Sequence, residues 1–431
     1  MKVAVLGLWH LGTVTAACTA AADVLTIGID DDAAVVSSLS AGQPPLFEPA
    51  LAELVRAGLD AKTLSFTTDK AAVREADVLW VCHDTPVDDE DRADVKFVTS
   101  RVEEIFEYLK DGAIVLVSAQ LPVGSIRALE EAHGARKTGR TVSFASSPEN
   151  LRLGQAIQVF QNPGRIIVGV RDDRTKSMLE PLLRRFCDTL IWMSVESAEM
   201  VKHALNAFLA VSITFTNEIA TICENVGADA SEVEAGLRSD PRIGQRAYVK
   251  AGPSFAGGTL ARDVNFLGNL AREHHLNTPV ISGVLSSNRA HAQWALRQLR
   301  RALAPFKKQH TIAVLGLAYK PGTSTLRRST AIELIRVLVK EGVTVQAFDP
   351  KVSALPDDLA ASVTFASDAL TAIRGAHAVI VATEWPEFRS LTANDFATAM
   401  AGDVILDSGR YLAANLGASK RLKYFSVGRV L

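Results

Sequence analysis

The chain has 431 residues, with 46 basic against 48 acidic side chains, a formal net charge of −2 and 48% hydrophobic residues. That length gives room for two to three domains with cores of their own. The balanced charge excludes the basic footprint of a nucleic-acid binder or a polybasic membrane surface.

The first segment, KVAVLGL at Lys2–Leu8, is a short β-branched apolar run ending in glycine. This is the pattern of a buried parallel strand feeding a phosphate-facing turn. The chain starts as a strand directly, without the charged and apolar regions of a signal peptide. No uninterrupted apolar run approaches the roughly 18 residues of a spanning helix, so no membrane association is expected. Cys18, Cys82, Cys187 and Cys223 are widely spaced with no C-x-x-C, which argues against zinc and against a disulfide framework. The pair His274-His275 lacks acidic or Cys partners and reads as helix surface, so no metal is expected. A cytoplasmic protein is the expectation.

The turn Gly7–Gly12, G-L-W-H-L-G, stands where a G-x-G-x-x-G fingerprint belongs, comprising Gly7, Trp9, His10, Leu11 and Gly12. Its middle glycine is replaced by Trp9, so an ordinary α/β crossover turn stays open beside the dinucleotide reading. Asp30 closes the next strand about 20 residues on, placed for a ribose 2′-OH, which favours NAD over NADP. Further apolar runs follow in ADVLWVCHD and GAIVLVSAQ. The stretch 194–301 is poor in strands. SAEMVKHALNAFLAVSITFTNEIATICENVG predicts a helix of ~45 Å ending at Gly227. Apolar on most faces, it reads as a connecting and dimerising helix. The loop Tyr248–Val264, YVKAGPSFAGGTLARDV, concentrates Gly252, Gly257 and Gly258. Such density requires positive φ or close approach of a ligand. TIAVLGL at Thr311–Leu317 then repeats the opening segment, followed by TVQAFD to Asp349, HAVIVATEW and GDVILDSG. Two doubly wound, Rossmann-like α/β domains joined by a long-helix dimerisation region are predicted, with boundaries at 1–193, 194–301 and 302–431.

The glycine-dense loop resembles the active-site loop of the UDP-glucose/GDP-mannose dehydrogenase family, roughly G-P-G-F-G-G-S-C-F-x-K-D. Gly252, Pro253, Phe255, Gly257 and Asp263 match. Thr259 stands at the family's nucleophilic cysteine and Arg262 at its lysine. Other motifs agree. Pro45 and Glu48 in QPPLFEPAL, and Thr85-Pro86 in VCHDTPVDD, resemble cofactor-domain motifs, although His83 and Asp84 replace an apolar residue and a glycine. SSPENLRLGQAI resembles N-P-E-F-L-R-E-G, and VKHALNAFLA resembles K-x-x-x-N-A-F-L-A. GLAYKPGTSTLRRS is similar to G-L-A-Y-K-P-G-T-D-D-x-R-E-S, with its acids missing. TEWPEF and LDSGR complete a set running from residue 3 to about 410.

The resemblance implies NAD held by the Gly7–Gly12 turn, Asp30, Thr85 and Pro86, with Arg262 a further cofactor contact. It implies a reacting centre of Glu149, Lys202, Asn206 and Asp263. Lys202 and Asn206 lie four apart and so share a helix face. Gln120 replaces a threonine of that centre. Leu151, Arg152, Tyr248, Gly252, Phe255 and Gly257 would contact a nucleotide-diphosphate sugar, with Lys320, Arg327 and Arg410 toward its phosphates. Arg242 would reach the substrate of the second subunit in a homodimer. The family's chemistry oxidises a primary alcohol twice, the second time through a thioester on cysteine. A threonine hydroxyl is a far weaker acid than a thiol of pKa about 8.5 and needs a dedicated base. A single two-electron oxidation of a UDP-hexose, at C6, is therefore the expectation. Full oxidation by way of an aldehyde hydrate, a silent sugar-nucleotide binder, and a hydroxy-acid dehydrogenase on the same scaffold remain alternatives.

Overall fold

Eight short strands alternate with helices over the first half of the chain: β1 (Lys2–Leu6), β2 (Leu25–Ile29), β3 (Leu64–Thr67), β4 (Val78–Val81), β5 (Ile114–Val117), β6 (Ser143–Ser146), β7 (Ile166–Gly169) and β8 (Leu190–Met193). In the computed structural model, which describes residues 1–86, 88, 93–149, 151–256, 258–305 and 309–429, they form one sheet ordered β3-β2-β1-β4-β5-β6-β7-β8. Pairings are parallel except for β6 with β7. VLWV and IVLV of β4 and β5 are buried at every position, as both-face coverage by helices requires. A second set, β9 (Thr311–Leu315), β10 (Thr344–Phe348), β11 (Val363–Phe365), β12 (Ala378–Val381), β13 (Val404–Asp407) and β14 (Lys423–Phe425), forms an all-parallel sheet ordered β11-β10-β9-β12-β13-β14. Both sheets reverse direction beside their first strand, which is the doubly wound arrangement with its ligand crevice at that switch point. The two Rossmann-like domains expected from the sequence are present.

By its internal contacts the chain divides into two compact units, Met1–Ala204 and Leu205–Leu431. The division falls inside the helix Val195–Val226, whose 32 residues end at Gly227 with φ +81°. That positive φ is why a glycine stops the helix there. Over an 18-residue window its mean hydropathy reaches 1.3, long and apolar enough to cross a membrane by length and composition, with 44% of that window buried inside the protein. The sequence reading looked for an unbroken apolar run, whereas the polar residues here are interspersed among Ala, Leu, Ile, Val and Phe.

Within the second unit, Ala207 and Ala210 of this helix pack with Val264 and Val284, and Phe255 covers them. The helices Ala230–Ser239, Thr259–Glu273, Pro279–Ala292 and Trp294–Ala302 belong to the same unit.

Candidate active site

The first βα turn is dictated by two glycines. Gly7 has φ +89°, and a Cβ there would lie 2.5 Å from His83 Nδ1. A Cβ on Gly12 would meet the Gly7 carbonyl oxygen at 1.6 Å. The chain therefore passes under the end of β4 and enters the helix His10–Ala21 at once. Trp9 occupies the N-cap position and offers no side-chain hydrogen bond to that helix end. The first-turn amides of His10, Leu11 and Gly12 consequently stay open, and an open helix N-terminus is an anion site. Trp9 is 49% exposed, so its indole stands beside the turn without filling it.

An open cleft of about 630 Å³ adjoins this end, lined among others by Gly7, Leu8, Trp9, Asp30, His83, Thr85 and Pro86. Asp30 accepts from Leu8 N at 2.7 Å and from Asp32 N at 3.0 Å. Two amides leave lone pairs on a carboxylate that lines the cleft. Asp31 is paired with Lys70 at 2.8 Å and Arg101 at 3.6 Å. The uncapped helix end, the tight glycine turn and the acid at the close of β2 fit an NAD molecule. His83 is buried, and its Nε2 has no hydrogen-bond partner among the described residues. Burial outweighs the attraction of Asp30 and holds its pKa down at about 4, so it is neutral.

In the same unit, Gln120, Glu149 and Lys202 line one small cavity together with Ser118, Leu121, Pro148 and Glu199. Lys202 Nζ donates to the Glu149 carbonyl at 2.6 Å and lies 3.3 Å from its Oε1. Glu149 Oε2 accepts from Leu151 N at 2.6 Å. Arg152 is exposed just beyond. The Gln120 loop is fixed from three sides. Thr85 Oγ1 donates to Gln120 O at 2.7 Å, His203 Nε2 lies 3.0 Å from Leu121 O, and Glu199 accepts from Gly124 N and Ile126 N at 2.8 and 3.1 Å. Burial raises the Glu199 pKa, partly offset by those two amides.

In the second unit, Asn206 donates to Asp263, both buried. Asp263 sits one turn into the helix Thr259–Glu273, on the face that Thr259 begins. Thr259 is exposed at the start of that helix, and its N-cap Gly258 supplies no side-chain cap. Arg262, partly buried, lies on the next residue position before Asp263. The preceding loop is held by backbone bonds. Gly252 N donates to Asn217 Oδ1 at 3.0 Å, and Gly252 O faces His291 Nε2 at 2.8 Å. Phe255 exchanges 2.9 and 3.0 Å bonds with the Asn288 amide. Neither Gly252 nor Gly258 has positive φ, so left-handed backbone is not the reason for a glycine at those two positions. Gly257 lies outside the described residues.

Tyr248 is 58% exposed, and Arg242 is exposed and paired with Asp240 at 2.6 Å. Phe255 is partly committed to the helical core. Arg410, expected to face phosphates, is engaged with this loop. Its Nη2 donates to buried Glu234 and, at 3.2 Å, to Ala251 O, because a buried carboxylate needs a cation. Lys320 and Arg327 are exposed on the loop between β9 and the helix Thr330–Lys340.

Glu199, Glu234, Asn288 and His291 were missed by the sequence reading. One signal was available. Glu199, Lys202, His203 and Asn206 recur at the i, i+3, i+4 and i+7 spacing of one helix face inside an apolar segment, so they need polar partners.

The comparisons with known proteins agree with this geometry. Models of the UDP-glucose/GDP-mannose dehydrogenase family match in three parts: the NAD binding domain over residues 1–187, the central domain over 196–290 and the UDP binding domain over 313–414. The chain is 32% identical to UDP-glucose 6-dehydrogenase TuaD of Bacillus subtilis, covering 99% of this chain and 93% of that protein. It is 31% identical to UDP-glucose 6-dehydrogenase of Rhizobium meliloti, with both chains fully covered. A UDP-glucose dehydrogenase structure from Pyrobaculum islandicum superimposes with TM-score 0.86 at 29% identity, covering 100% of this chain and 98% of that one. The chain therefore belongs to the UDP-glucose/GDP-mannose dehydrogenase family and is an NAD-dependent nucleotide-sugar dehydrogenase.

Proposed function

We propose that the protein oxidises a UDP-hexose, UDP-glucose at C6, and that oxidation stops after one two-electron step. The relatives named UDP-glucose 6-dehydrogenase support the substrate. What supports the single step is the residue opening the helix Thr259–Glu273, a threonine, at the position where the loop that this segment resembles carries a cysteine. A thiol at a helix N-terminus has its pKa lowered and becomes a thiolate. A hydroxyl there gains too little to ionise near neutral pH.

NAD, when bound, supplies the hydride acceptor; the Gly7–Gly12 turn, Asp30, Thr85 and Pro86 would hold it, with Arg262 a further contact. Lys202 stabilises the alkoxide that develops as hydride leaves. Glu149, directly or through a water, takes the hydroxyl proton. Asn206 and Asp263 orient polar groups at the sugar, and Gln120 stands where the family has a threonine. Leu151, Arg152, Tyr248, Gly252, Phe255 and Gly257 contact the sugar nucleotide. Lys320 and Arg327 bind the diphosphate, and Arg410 positions the loop.

The chain's own thiols do not supply the missing nucleophile. Cys18, Cys82 and Cys223 are buried; burial pushes the Cys18 thiol up to about 12 and Cys82 higher still. Cys187 is held against the Pro163 carbonyl at 3.1 Å.

We read 1–193 as the cofactor domain, 194–301 as the central domain and 302–431 as the sugar-nucleotide domain of a cytoplasmic homodimer. Phe208, Phe215 and Ile222 are exposed at every seventh residue of the long helix, with Val226 beyond. Such a seam favours helix pairing, and Arg242 would then act in the partner's site. Free cysteines accord with a reducing compartment.

The test is incubation with NAD and a panel of UDP-, GDP- and dTDP-sugars, counting NADH and trapping the carbonyl with hydroxylamine. One NADH per UDP-glucose and a trapped aldehyde are expected. Two NADH and a uronic acid would overturn the single step. Thr259→Cys should restore the second NADH.

A further inference from the structure

Glu48 lies in the loop between the helices Ala33–Ser40 and Leu51–Asp60. It is 4% exposed, and its carboxylate joins two separate segments. Oε2 lies 3.0 Å from His10 Nε2 and accepts from Gly154 N at 2.8 Å; Oε1 accepts from Ala156 N at 2.8 Å. His10 is the first residue of the uncapped helix, directly after Gly7, Leu8 and Trp9, which line the cofactor cleft. Gly154 and Ala156 close the segment that begins at Glu149, whose other end is held by Lys202. The position carrying the imidazole is therefore also one of the open amides of the anion site. A buried carboxylate has few ways to satisfy its lone pairs, and losing one partner is costly. Displacement of His10 is thus felt by the amides of Gly154 and Ala156.

We propose that Glu48 is a positioning residue that couples occupation of the cofactor turn, through His10, to the ordering of residues 151–156, which follow the catalytic-site Glu149. NAD drawing the His10 amide onto its diphosphate fixes the imidazole against Glu48. Glu48 in turn holds the far end of the segment carrying the proton-accepting Glu149. Coupling of this kind is reciprocal: whatever factor NAD adds to sugar-nucleotide affinity, the sugar nucleotide adds to NAD affinity. This rests on the proposed role of Glu149, but the deciding measurement needs only NAD.

The experiment is hydrogen–deuterium exchange of the full-length protein with and without NAD, read on peptides spanning residues 151–157, for the wild type, His10→Leu and Glu48→Gln. In the wild type, NAD should slow exchange at Gly154 and Ala156 several-fold. In His10→Leu, compared with wild type at NAD concentrations that saturate each protein, that added protection should vanish, although Gly154 and Ala156 keep their bonds to Glu48. Glu48→Gln, if it folds, should raise basal exchange there. A merely structural role would give equal NAD-induced protection in His10→Leu and wild type, and that result overturns the proposal. UDP-glucose affinity, measured with and without NAD, should lose its NAD-dependent factor in His10→Leu; failure of UDP-glucose to bind at all would count against the substrate assignment and leave the exchange result standing.

Discussion

The two Rossmann-like domains share the backbone frame of their first turns and differ in what each turn leaves open beside it. In the first, Gly7 N donates to Ile29 O and Cys82 N to Leu6 O; in the second, Gly316 N donates to Phe348 O and Ala382 N to Leu315 O. Both turn glycines have φ +89°, and each faces the residue just past the neighbouring strand, His83 or Thr383. Both place an aspartate after the second strand. Beyond this the domains diverge. The helix after Gly7 begins at His10 with its end uncapped. The helix after Gly316 begins only at Thr330, with Ser329 already capping it and donating to Leu317 O at 2.6 Å. Asp30 has two backbone donors, whereas buried Asp349 accepts from Leu317, Ala318, Lys351, Val352 and the Trp385 indole. The first domain leaves its dipole end and its acid open to a ligand. The second closes both and presents exposed cations on a longer loop.

The largest test of this shared frame is alanine at each turn glycine. A Cβ on Gly316 would meet Thr383 Cβ at 2.5 Å and its backbone N at 2.6 Å; one on Gly7 would meet mainly the His83 ring. Left-handed backbone and overpacking add, so Gly316→Ala should cost about 2–5 kcal/mol of unfolding free energy. Gly7→Ala should cost less, because a ring yields more easily than backbone. Urea unfolding measures both. Equal losses would show that the second contact is as compliant as the first.

A smaller effect separates His83 from Thr383. A histidine whose folded pKa is lowered from 6.5 to about 4 takes its proton in the unfolded chain first. The stability it permits is intact above pH 6.5, is lost as pH falls from 6.5 toward 4, and is constant below. The bound is about 3 kcal/mol. His83→Leu should flatten the acid limb of a urea-unfolding series over that window, whereas Thr383→Val should leave its pH dependence unchanged. An unaltered acid limb in His83→Leu would mean that the imidazole has the same pKa in the folded and the unfolded chain.

Much of this comparison was legible in the chain itself. The repeated strand–glycine segments and the two aspartates gave the paired architecture, because strand burial and turn geometry are local. Lys202, Asn206, Glu149 and Asp263 stood out as polar groups in matching motifs. Glu199, Glu234, Asn288 and His291 did not. Their roles come from backbone groups brought to them by the fold, and no local spacing encodes a carbonyl or amide from another loop. Arg410 is the same lesson in reverse, since a phosphate-seeking arginine and a loop-bracing arginine look alike until Glu234 is found beside it.

Exchange of the acids distinguishes open from closed carboxylates. Asp30→Asn should weaken NAD binding about tenfold, measured by titration calorimetry, with little change in melting temperature. Asp349→Asn turns one acceptor into a donor facing backbone amides and should cost about 2 kcal/mol of stability, with NAD affinity unchanged. Loss of NAD affinity in Asp349→Asn alone would break the distinction.

The smallest effect concerns salt. Exposed cations are screened within a Debye length of about 8 Å at physiological ionic strength, while a helix end and its amides contribute partial charges at closer range. Lys320 and Arg327 lie on the surface of their loop, so the KM for UDP-glucose should rise more steeply with sodium chloride than the KM for NAD. Lys320→Ala should raise the first by a few-fold and flatten its salt dependence, leaving the second unaltered. Parallel salt slopes for the two ligands would mean that both domains bind phosphate by the same means, and the contrast drawn from Ser329 and the uncapped His10 end would not hold.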